Sequence, residues 1–215
     1  PYTVPGCGRR IPSTAETGME VLLVLVILIA IVAGAAALLY NRLVRLRNAY
    51  TNAFAQIDVQ LKRRHDLIPR LVEAVKGYMK HERETLEAVI RARNQAEEIR
   101  QQAQSAVGDP GAMAQLAQAE GALGSVLGRL FALSEAYPDL KASENFRQFQ
   151  EELTSTENRV AYARQAYNDA GMRYNNAVQT VPSNLIASQF GFQPVGMLEF
   201  ADREAIQEAP AVSFT

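Results

Sequence analysis

The chain of 215 residues has no tryptophan, one cysteine and two histidines. A single cysteine excludes a disulfide framework within the chain. Basic and acidic side chains nearly balance, at 22 against 23, so the chain carries no overall positive charge that would attract nucleic acid. The composition therefore argues against a disulfide-rich secreted module and against a nucleic-acid partner.

Sequence motifs of metal-dependent and catalytic proteins are also missing. A di-metal helical bundle needs a glutamate three residues before a histidine, but Lys62 precedes His65 and Tyr78 precedes His81. A Ser–His–Asp arrangement stays open, although no Gly-x-Ser-x-Gly nucleophile elbow, phosphate-binding loop or dinucleotide fingerprint occurs. Cys7 lies in a leader rich in glycine and proline. We therefore expect no enzyme, no cofactor and no metal, and we expect both histidines to be solvated.

One long apolar run dominates the N-terminal part of the chain. Residues 21–40 (VLLVLVILIAIVAGAAALLY) contain no charged residue, and about 20 apolar residues suffice to cross a bilayer as a helix. We predict a transmembrane helix over residues 19–40, preceded by a flexible leader over residues 1–18. A cleaved signal peptide is the alternative. A retained anchor is favoured because signal peptides usually have a shorter apolar region.

The charges that flank this run predict its orientation. Arg42, Arg45 and Arg47 follow the run closely, whereas Arg9 and Arg10 lie farther from its other end. Positive residues favour the cytoplasmic side, so the large domain is expected in the cytoplasm. The three arginines that follow the run are predicted to contact anionic lipid, at about 1 kcal/mol each.

Apolar residues after the anchor recur every three or four positions, which is typical of helices with one buried face. The first helix is expected to end or bend near His65 and Asp66, with Pro69 in the first turn of the next. Turn signals at residues 108–111 and 137–139 and at Pro182 separate further helices. The prediction is an all-α protein whose anchor continues into an antiparallel up-down bundle of about four long helices over residues 41–181.

Small residues suggest close helix packing in two places. Gly121, Gly124 and Gly128 share one face of the third bundle helix, where each glycine costs about 1 kcal/mol relative to alanine. They are interpreted either as contacts within the bundle or as a face that meets another subunit. In the anchor, Ala30 and Gly34 have the small-xxx-small spacing that permits helix pairing in lipid.

Two further features are candidate binding regions. Glu157, Asn158 and Arg159 open a polar and aromatic run that extends to residue 168, and we interpret it as a buried polar network or, alternatively, as a ligand pocket. Residues 182–215 form a tail that is apolar and then acidic. Its Phe190 and Phe192 are expected to fold back on the bundle or to dock on a partner or a bilayer.

Three stretches of the sequence resemble the bacterial LemA family: residues 40–93, 136–178 and 182–192. The family motif QIDVQL stands at residues 56–61, and its Glu-Asn-Arg motif stands at Glu157, Asn158 and Arg159. The resemblance implies one N-terminal membrane helix, an antiparallel helical bundle and no agreed biochemical activity. The family is also similar to a magnetosome-associated membrane protein.

These observations together predict a membrane-anchored scaffold or assembly protein with no catalytic activity. It is expected in the bacterial inner membrane as a single-pass protein and as a homo-oligomer. One alternative is an adaptor for another membrane protein. The other is a sensor that binds a ligand in the bundle interior.

Overall fold

The computed structural model describes residues 14–199, and all regular structure in this range is helical. This confirms the predicted all-α fold. The helices are α1 (Thr14–Lys76), α2 (Arg83–Ser105), α3 (Pro110–Ser134), α4 (Pro138–Lys141), α5 (Glu144–Gln179) and α6 (Ser183–Gln189). Residues 14–18 belong to α1, so the predicted flexible leader is wrong for them, and the rest of the leader lies outside the described residues.

The chain divides between Arg42 and Leu43 into two compact units, and the second unit is the helical bundle. Asp58 of α1 forms an ion pair with Arg100 of α2. Farther along α1, the side chain of Asp66 lies 3.9 Å from that of Arg93, which comes earlier in α2. The bundle part of α1 and α2 are therefore antiparallel.

The remaining long helices complete an up-down arrangement. Tyr50 of α1 packs against Tyr174 near the end of α5, with ring centroids 5.1 Å apart. Later in α1, Arg64 pairs with Glu157, which comes earlier in α5, so α5 runs opposite to α1. The start of α3 packs beside the first part of the bundle and its end beside the second part. The four long helices thus alternate in direction.

Two hydrophobic clusters fill the bundle. The first cluster surrounds the residues of α1 that begin the bundle and includes Leu43, Tyr50, Phe54, Ile57, Leu61, Met113, Leu116, Val160, Tyr167, Tyr174, Phe192 and Leu198. The second cluster surrounds the end of α1 and includes Leu67, Ile68, Leu71, Val75, Leu86, Val89, Leu123, Leu127, Leu130, Phe146 and Leu153. The predicted three-and-four spacing supplies most of these positions.

The predicted helix boundary near His65 and Asp66 is wrong, because α1 runs through Pro69 to Lys76. A proline has no N–H, so the carbonyl group four residues earlier loses its partner within the helix. Here that carbonyl belongs to His65, and Nε of Arg93 in α2 donates to it at 3.1 Å. A side chain of the neighbouring helix thus replaces the missing hydrogen bond. The chain turns after Lys76 instead, through residues 77–82.

The predicted turn at residues 108–111 is confirmed. Gly108 has φ +90°, a conformation that glycine adopts without steric penalty. Asp109 then caps α3, since its Oδ1 accepts a hydrogen bond from the backbone N–H of Ala112 at 2.7 Å. Pro110 occupies the first turn, where a missing N–H is harmless.

The C-terminal segment packs on the bundle as an extended strand-like chain held by side-chain amides of α5. Asn175 donates to the carbonyl of Val195 at 2.9 Å and accepts from its N–H at 2.8 Å. Asn168 makes the same pair of hydrogen bonds with Leu198, at 3.1 and 2.9 Å. Two asparagine side chains seven residues apart on α5 therefore form with residues 195–198 the hydrogen bonds that a neighbouring strand would otherwise form.

Tyr167 adds a third link to this segment. Its hydroxyl donates to the carbonyl of Gly196 at 2.8 Å, and burial raises the pKa of the Tyr167 phenol, which keeps it a donor. Gly196 lies so close to α3 that a Cβ added to it would meet the Cα of Pro110 at 2.6 Å. Residues 183–199 are thus part of the fold, and the acidic end of the predicted tail lies outside the described residues.

Candidate membrane anchor and buried ionic layer

The predicted anchor is an apolar helix whose side chains are exposed. Every residue from Val21 to Ala35 is exposed, and an 18-residue window in this part of α1 has a mean hydropathy of 3.2. The core helix of a soluble domain would bury such residues, because their transfer out of water is favourable. The first unit therefore has the length and the exposure of a membrane-spanning helix.

Residues predicted to contact lipid or a second helix are accessible. Arg42, Arg45 and Arg47 are all exposed. A Cβ added at Gly34 would meet no other atom within 4 Å among the described residues, and Ala30, one turn earlier, is also exposed. Lipid contact and helix pairing here stay predictions.

A layer of charged side chains crosses the bundle where its two hydrophobic clusters meet. We call it the ionic layer, and it consists of Asp58, Arg64 and His65 of α1, Glu97 and Arg100 of α2, Glu120 of α3 and Glu157 of α5. All four long helices contribute to it. Arg64, His65, Arg100 and Glu120 are buried, although charged side chains are rarely buried without partners.

His65 occupies the centre of the ionic layer and is completely buried. Its Nδ1 lies 2.8 Å from Oε2 of Glu97, and its Nε2 lies 2.8 Å from Oε1 of Glu120. A neutral imidazole carries one N–H and can donate to only one of these carboxylates, whereas an imidazolium donates to both. Each of the two contacts therefore needs one proton, carried either by the ring or by the carboxyl group. The prediction that His65 is solvated is wrong, whereas His81 is exposed as predicted.

Arg64 links the interior to the surface of the bundle. Its Nη1 lies 3.3 Å from Oε2 of Glu120, and its Nη2 lies 3.1 Å from Oε1 of Glu157. Glu120 thus receives both Arg64 and His65. A Cβ added at Gly124 would lie 3.6 Å from Nη2 of Arg64, so this glycine faces a guanidinium group rather than the backbone of another helix.

Arg100 holds the α2 side of the ionic layer. It donates to Glu97 from Nε and Nη2, at 3.1 and 2.8 Å, and from Nη1 to Asp58. The hydrogen bonds from Arg100, with smaller contributions from His65 and Gln101, hold the pKa of the Glu97 carboxyl well below its usual range although burial opposes this. Bonding to Glu97 and Asp58 raises the pKa of Arg100 in turn.

The ionic layer is suited to fixing the positions of the helices. Its four carboxylates face two arginines and the His65 ring, so each buried charge has a partner of opposite sign. Residues 14–199 hold no group of three or more His, Cys, Asp and Glu side chains arranged to bind a metal ion. Removing one partner from a buried ion pair is strongly destabilising, and such pairs can specify register.

The predicted buried network at Glu157, Asn158 and Arg159 is wrong. All three residues are exposed, with 62 % of the Glu157 side chain accessible, because they lie on the outer face of α5. Within the same polar and aromatic run, Tyr167 and Asn168 bind the C-terminal segment instead. A ligand pocket lined by this run stays a prediction.

The ionic layer could have been found from the sequence, because its buried residues occupy core positions of the helices. Glu120 continues the apolar stripe of α3 between Leu116 and Leu123, and His65 continues that of α1 between Leu61 and Ile68. A charged residue at a core position of an amphipathic helix is expected to be buried with a partner. Arg100 follows the same rule between Ala96 and Ala103 of α2.

The interpretation of the α3 glycines as contacts within the bundle is wrong for two of them. Gly121 and Gly128 are exposed, and a Cβ added at either would meet no other atom within 4 Å in the described part of the chain. Gly124 is half-buried beside Arg64. A contact of the exposed glycines with another subunit stays a prediction.

The two tail phenylalanines have different environments. Phe192 is buried in the first cluster together with Leu43 and Leu198. Phe190 is 60 % exposed at the end of α6. Folding back on the bundle is therefore the outcome for Phe192, whereas docking of Phe190 on a partner or a bilayer stays a prediction.

The fold and these features define a class of protein: a helical bundle preceded by an exposed apolar helix. The chain belongs to the LemA family, whose sequence model matches residues 53–214. This match covers most of the bundle and the C-terminal segment, and it confirms the family resemblance.

Curated relatives agree with this membership. The chain is 26 % identical to protein LemA of Metamycoplasma hominis over 166 residues, which are 77 % of this chain and 71 % of that protein. It is 34 % identical to magnetosome protein MamQ of Magnetospirillum gryphiswaldense over 89 residues, 41 % of this chain and 33 % of that protein. It is 33 % identical to magnetosome protein MamQ 2 of Paramagnetospirillum magneticum over 105 residues, 49 % of this chain and 36 % of that protein. The matches thus span about a third of the magnetosome proteins.

Proposed function

We propose that this protein is a membrane-anchored scaffold that associates with itself at the bacterial inner membrane and catalyses no reaction. The apolar helix of residues 19–40 crosses the bilayer once. The bundle lies on the cytoplasmic side, where Arg42, Arg45 and Arg47 contact anionic headgroups. The bundle then presents helix faces to further copies of the chain.

The observation that carries this proposal is the exposure of the whole apolar run from Val21 to Ala35. Water-soluble proteins rarely expose an apolar patch of more than a few hundred Å², and lipid is the solvent that such a helix requires. A role without catalysis is supported by the ionic layer, in which each buried charged side chain takes part in an ion pair.

Self-association has separate support. Gly121 and Gly128 lie two turns apart on α3, exposed and with open space around them. Small residues permit close approach of a neighbouring helix, which compensates for their poor helix propensity. The Ala30 and Gly34 pair offers the same opportunity inside the bilayer. Two weak contacts on one chain reinforce each other when both are held at a membrane.

Membrane extraction and particle size test the proposal. The full chain should stay with membranes in alkaline wash and should run as a discrete homo-oligomer in mild detergent. Gly121→Leu should reduce the oligomer size and leave the helical content unchanged, because the position is exposed and leucine favours helix. Ala122→Leu, on a different exposed face, is the matched control. A monomeric wild type would contradict the scaffold.

Selective labelling tests the orientation. In intact cells, an impermeant maleimide should label Cys7, which precedes the anchor. It should not label Ser125→Cys, on the exposed surface of α3, in a Cys7→Ser background. The reverse pattern would place the bundle outside the cytoplasm.

An adaptor for another membrane protein is the second candidate. An open cleft of about 1120 Å³ lies where α1 ends and α2 begins. Its walls are apolar at Val72, Met79 and Leu86, and its rim is mainly basic at Lys80 and Arg83. A monomer that co-purifies with one membrane partner, and loses it in Arg83→Glu, would favour the adaptor over the scaffold.

A further inference from the structure

A long uncharged stretch of the chain lies at the end of the bundle that holds α6. From Tyr174 to Leu198 the sequence contains no aspartate, glutamate, lysine, arginine or histidine. We call residues 180–191 the α6 corner. Within it, three large apolar side chains are exposed: Val181 by 79 %, Leu185 by 65 % and Phe190 by 60 %. Ser183 and Ala187 form the buried side of α6, so Leu185 lies on the opposite, outer side.

The α6 corner lies at the end of the bundle where α1 enters it. Ala187 and Phe192 are buried in the same cluster as Leu43, the first residue of the bundle unit. Leu43 follows the last residue of the apolar run, Tyr40, by three positions. Three residues of chain span at most about 11 Å. The corner therefore packs around a residue that covalent geometry keeps close to the membrane surface.

The connections at the opposite end of the bundle carry more charges. These two connections, residues 77–82 and 135–143, carry Lys80, His81, Glu82, Glu135, Asp139 and Lys141. Charged groups resist transfer out of water, whereas apolar and neutral polar side chains tolerate the headgroup region. At the α6 end, the connection formed by residues 106–109 carries one charged residue, Asp109. The connections at the two ends therefore differ in how many charges they hold, as expected if one end meets lipid and the other meets water.

We propose that the α6 corner is a second membrane contact, which inserts Leu185 and Phe190 into the boundary between headgroups and acyl chains. The contacted leaflet is the one at which the apolar run leaves the bilayer and the bundle begins. This inference therefore rests on the proposed membrane anchor. Arg45 and Arg47, exposed on the adjoining turns of α1, supply the basic groups that accompany apolar insertion at anionic surfaces. The anchor tethers the bundle, and the corner fixes which of its faces meets the bilayer.

The lack of tryptophan makes the chain suitable for a direct depth measurement, because each introduced indole is the only one present. Leu185→Trp and Phe190→Trp place the probe in the corner. Tyr162→Trp is the matched control, since Tyr162 is 75 % exposed on α5 and lies sixteen residues before Val178, about 24 Å along the helix. Each full-length variant is reconstituted into vesicles that contain lipids brominated near the headgroup.

The proposal expects the emission of the two corner variants to shift to shorter wavelength and to be quenched at least about twofold more than that of Tyr162→Trp. Equal quenching of all three variants, in vesicles that carry the protein through a flotation gradient, would overturn the corner contact and leave the anchor intact. Failure of the protein to float would overturn the anchor and the corner together. A corner signal that depends on the protein-to-lipid ratio instead of on bromine would assign this surface to a second copy and would also overturn the proposal.

Discussion

Glu120 is the carboxylate on which two buried nitrogen-bearing side chains converge, since one oxygen lies 2.8 Å from His65 and the other 3.3 Å from Arg64. Its neighbour in the ionic layer, Glu157, binds the same arginine from the surface. Glu120 and Glu157 carry the same charge and bind the same arginine, but only Glu120 is buried, so a comparison of the two isolates the effect of burial. At the residue scale, stability should therefore depend on which partner of Arg64 is neutralised.

We expect Glu120→Gln to lower the free energy of unfolding by about 3 kcal/mol, because it leaves buried positive charge without its counter-charge. Glu157→Gln removes an exposed partner and should cost no more than about 1 kcal/mol. Denaturant unfolding of the full chain in mild detergent, followed by circular dichroism, measures both. Equal losses for the two variants would show that the ionic layer is accessible to water.

Glu97 makes the bundle sensitive to acid. Its folded-state pKa lies below the value of about 4.3 for an unfolded glutamate. Its contribution to stability is thus complete above that unfolded value and is lost as the pH falls through the lowered folded value. Glu97→Gln should be less stable than the wild type at pH 7, and the difference should shrink below about pH 4.

Melting temperatures at a series of pH values between neutrality and strong acid check this expectation. Glu84→Gln, on the exposed face of α2, is the control that should follow the wild type throughout. A constant difference between wild type and Glu97→Gln at every pH would contradict the assigned cause of the shift.

The sequence indicated the apolar positions of the bundle better than its charged ones. Three-and-four spacing finds Leu61, Ile68 and Leu123 without knowledge of their neighbours. The charged residues between them, His65 and Glu120, lie 55 positions apart in the chain. Their pairing depends on how helices align, which a single stripe cannot reveal. The sequence alone therefore placed His65 in solvent.

At the scale of elements, the most instructive case is the passage of α1 through Pro69. Sequence rules place a helix boundary near such a proline. The helix continues because Arg93 of another helix donates to the His65 carbonyl that the proline leaves without an N–H donor. The sequence near Pro69 could not predict this donor, because Arg93 lies 28 positions from His65 and the packing of α2 on α1 brings the two together.

A double-mutant cycle tests this compensation. Arg93→Ala should destabilise the bundle by about 1 kcal/mol, because it leaves a carbonyl in the helix without a partner. Pro69→Ala restores an N–H that can donate to the His65 carbonyl. In that background, Arg93→Ala should cost less than it does in the wild type. Additive losses in urea unfolding would contradict a link between the two residues.

The C-terminal segment gives a second test at this scale. Asn168→Ala removes both hydrogen bonds to Leu198, so the amide of Leu198 should exchange with solvent about tenfold faster. The helices should keep their protection, because the segment can open without them. Asn176→Ala, exposed on the same helix, is the control. Loss of protection throughout α5 would mean that the segment and the bundle unfold together.

For the whole molecule, the order and direction of the long helices could be predicted, because turn signals and short connections permit few arrangements. The extended segment at residues 195–198 could not, since the asparagines that bind it lie in α5 and its own residues show no strand pattern. The boundary of the fold was therefore placed too early, at residue 181. A sequence pattern predicts an element from that element's own residues. It cannot predict a segment whose hydrogen-bond partners are side chains of another element.

The ionic layer also bears on the uniqueness of the fold. It lies between two apolar clusters that a sliding helix could otherwise bring into other registers, and buried charged groups can favour one register at a cost in stability. We therefore expect the triple variant Arg64→Met, His65→Leu and Glu120→Leu to be at least as stable as the wild type, with a higher denaturant midpoint. It should also lose unique packing, visible as broadened methyl resonances in NMR spectra of the full chain in detergent. A less stable variant with sharp resonances would instead make the layer a net source of stability, with register set by the apolar side chains.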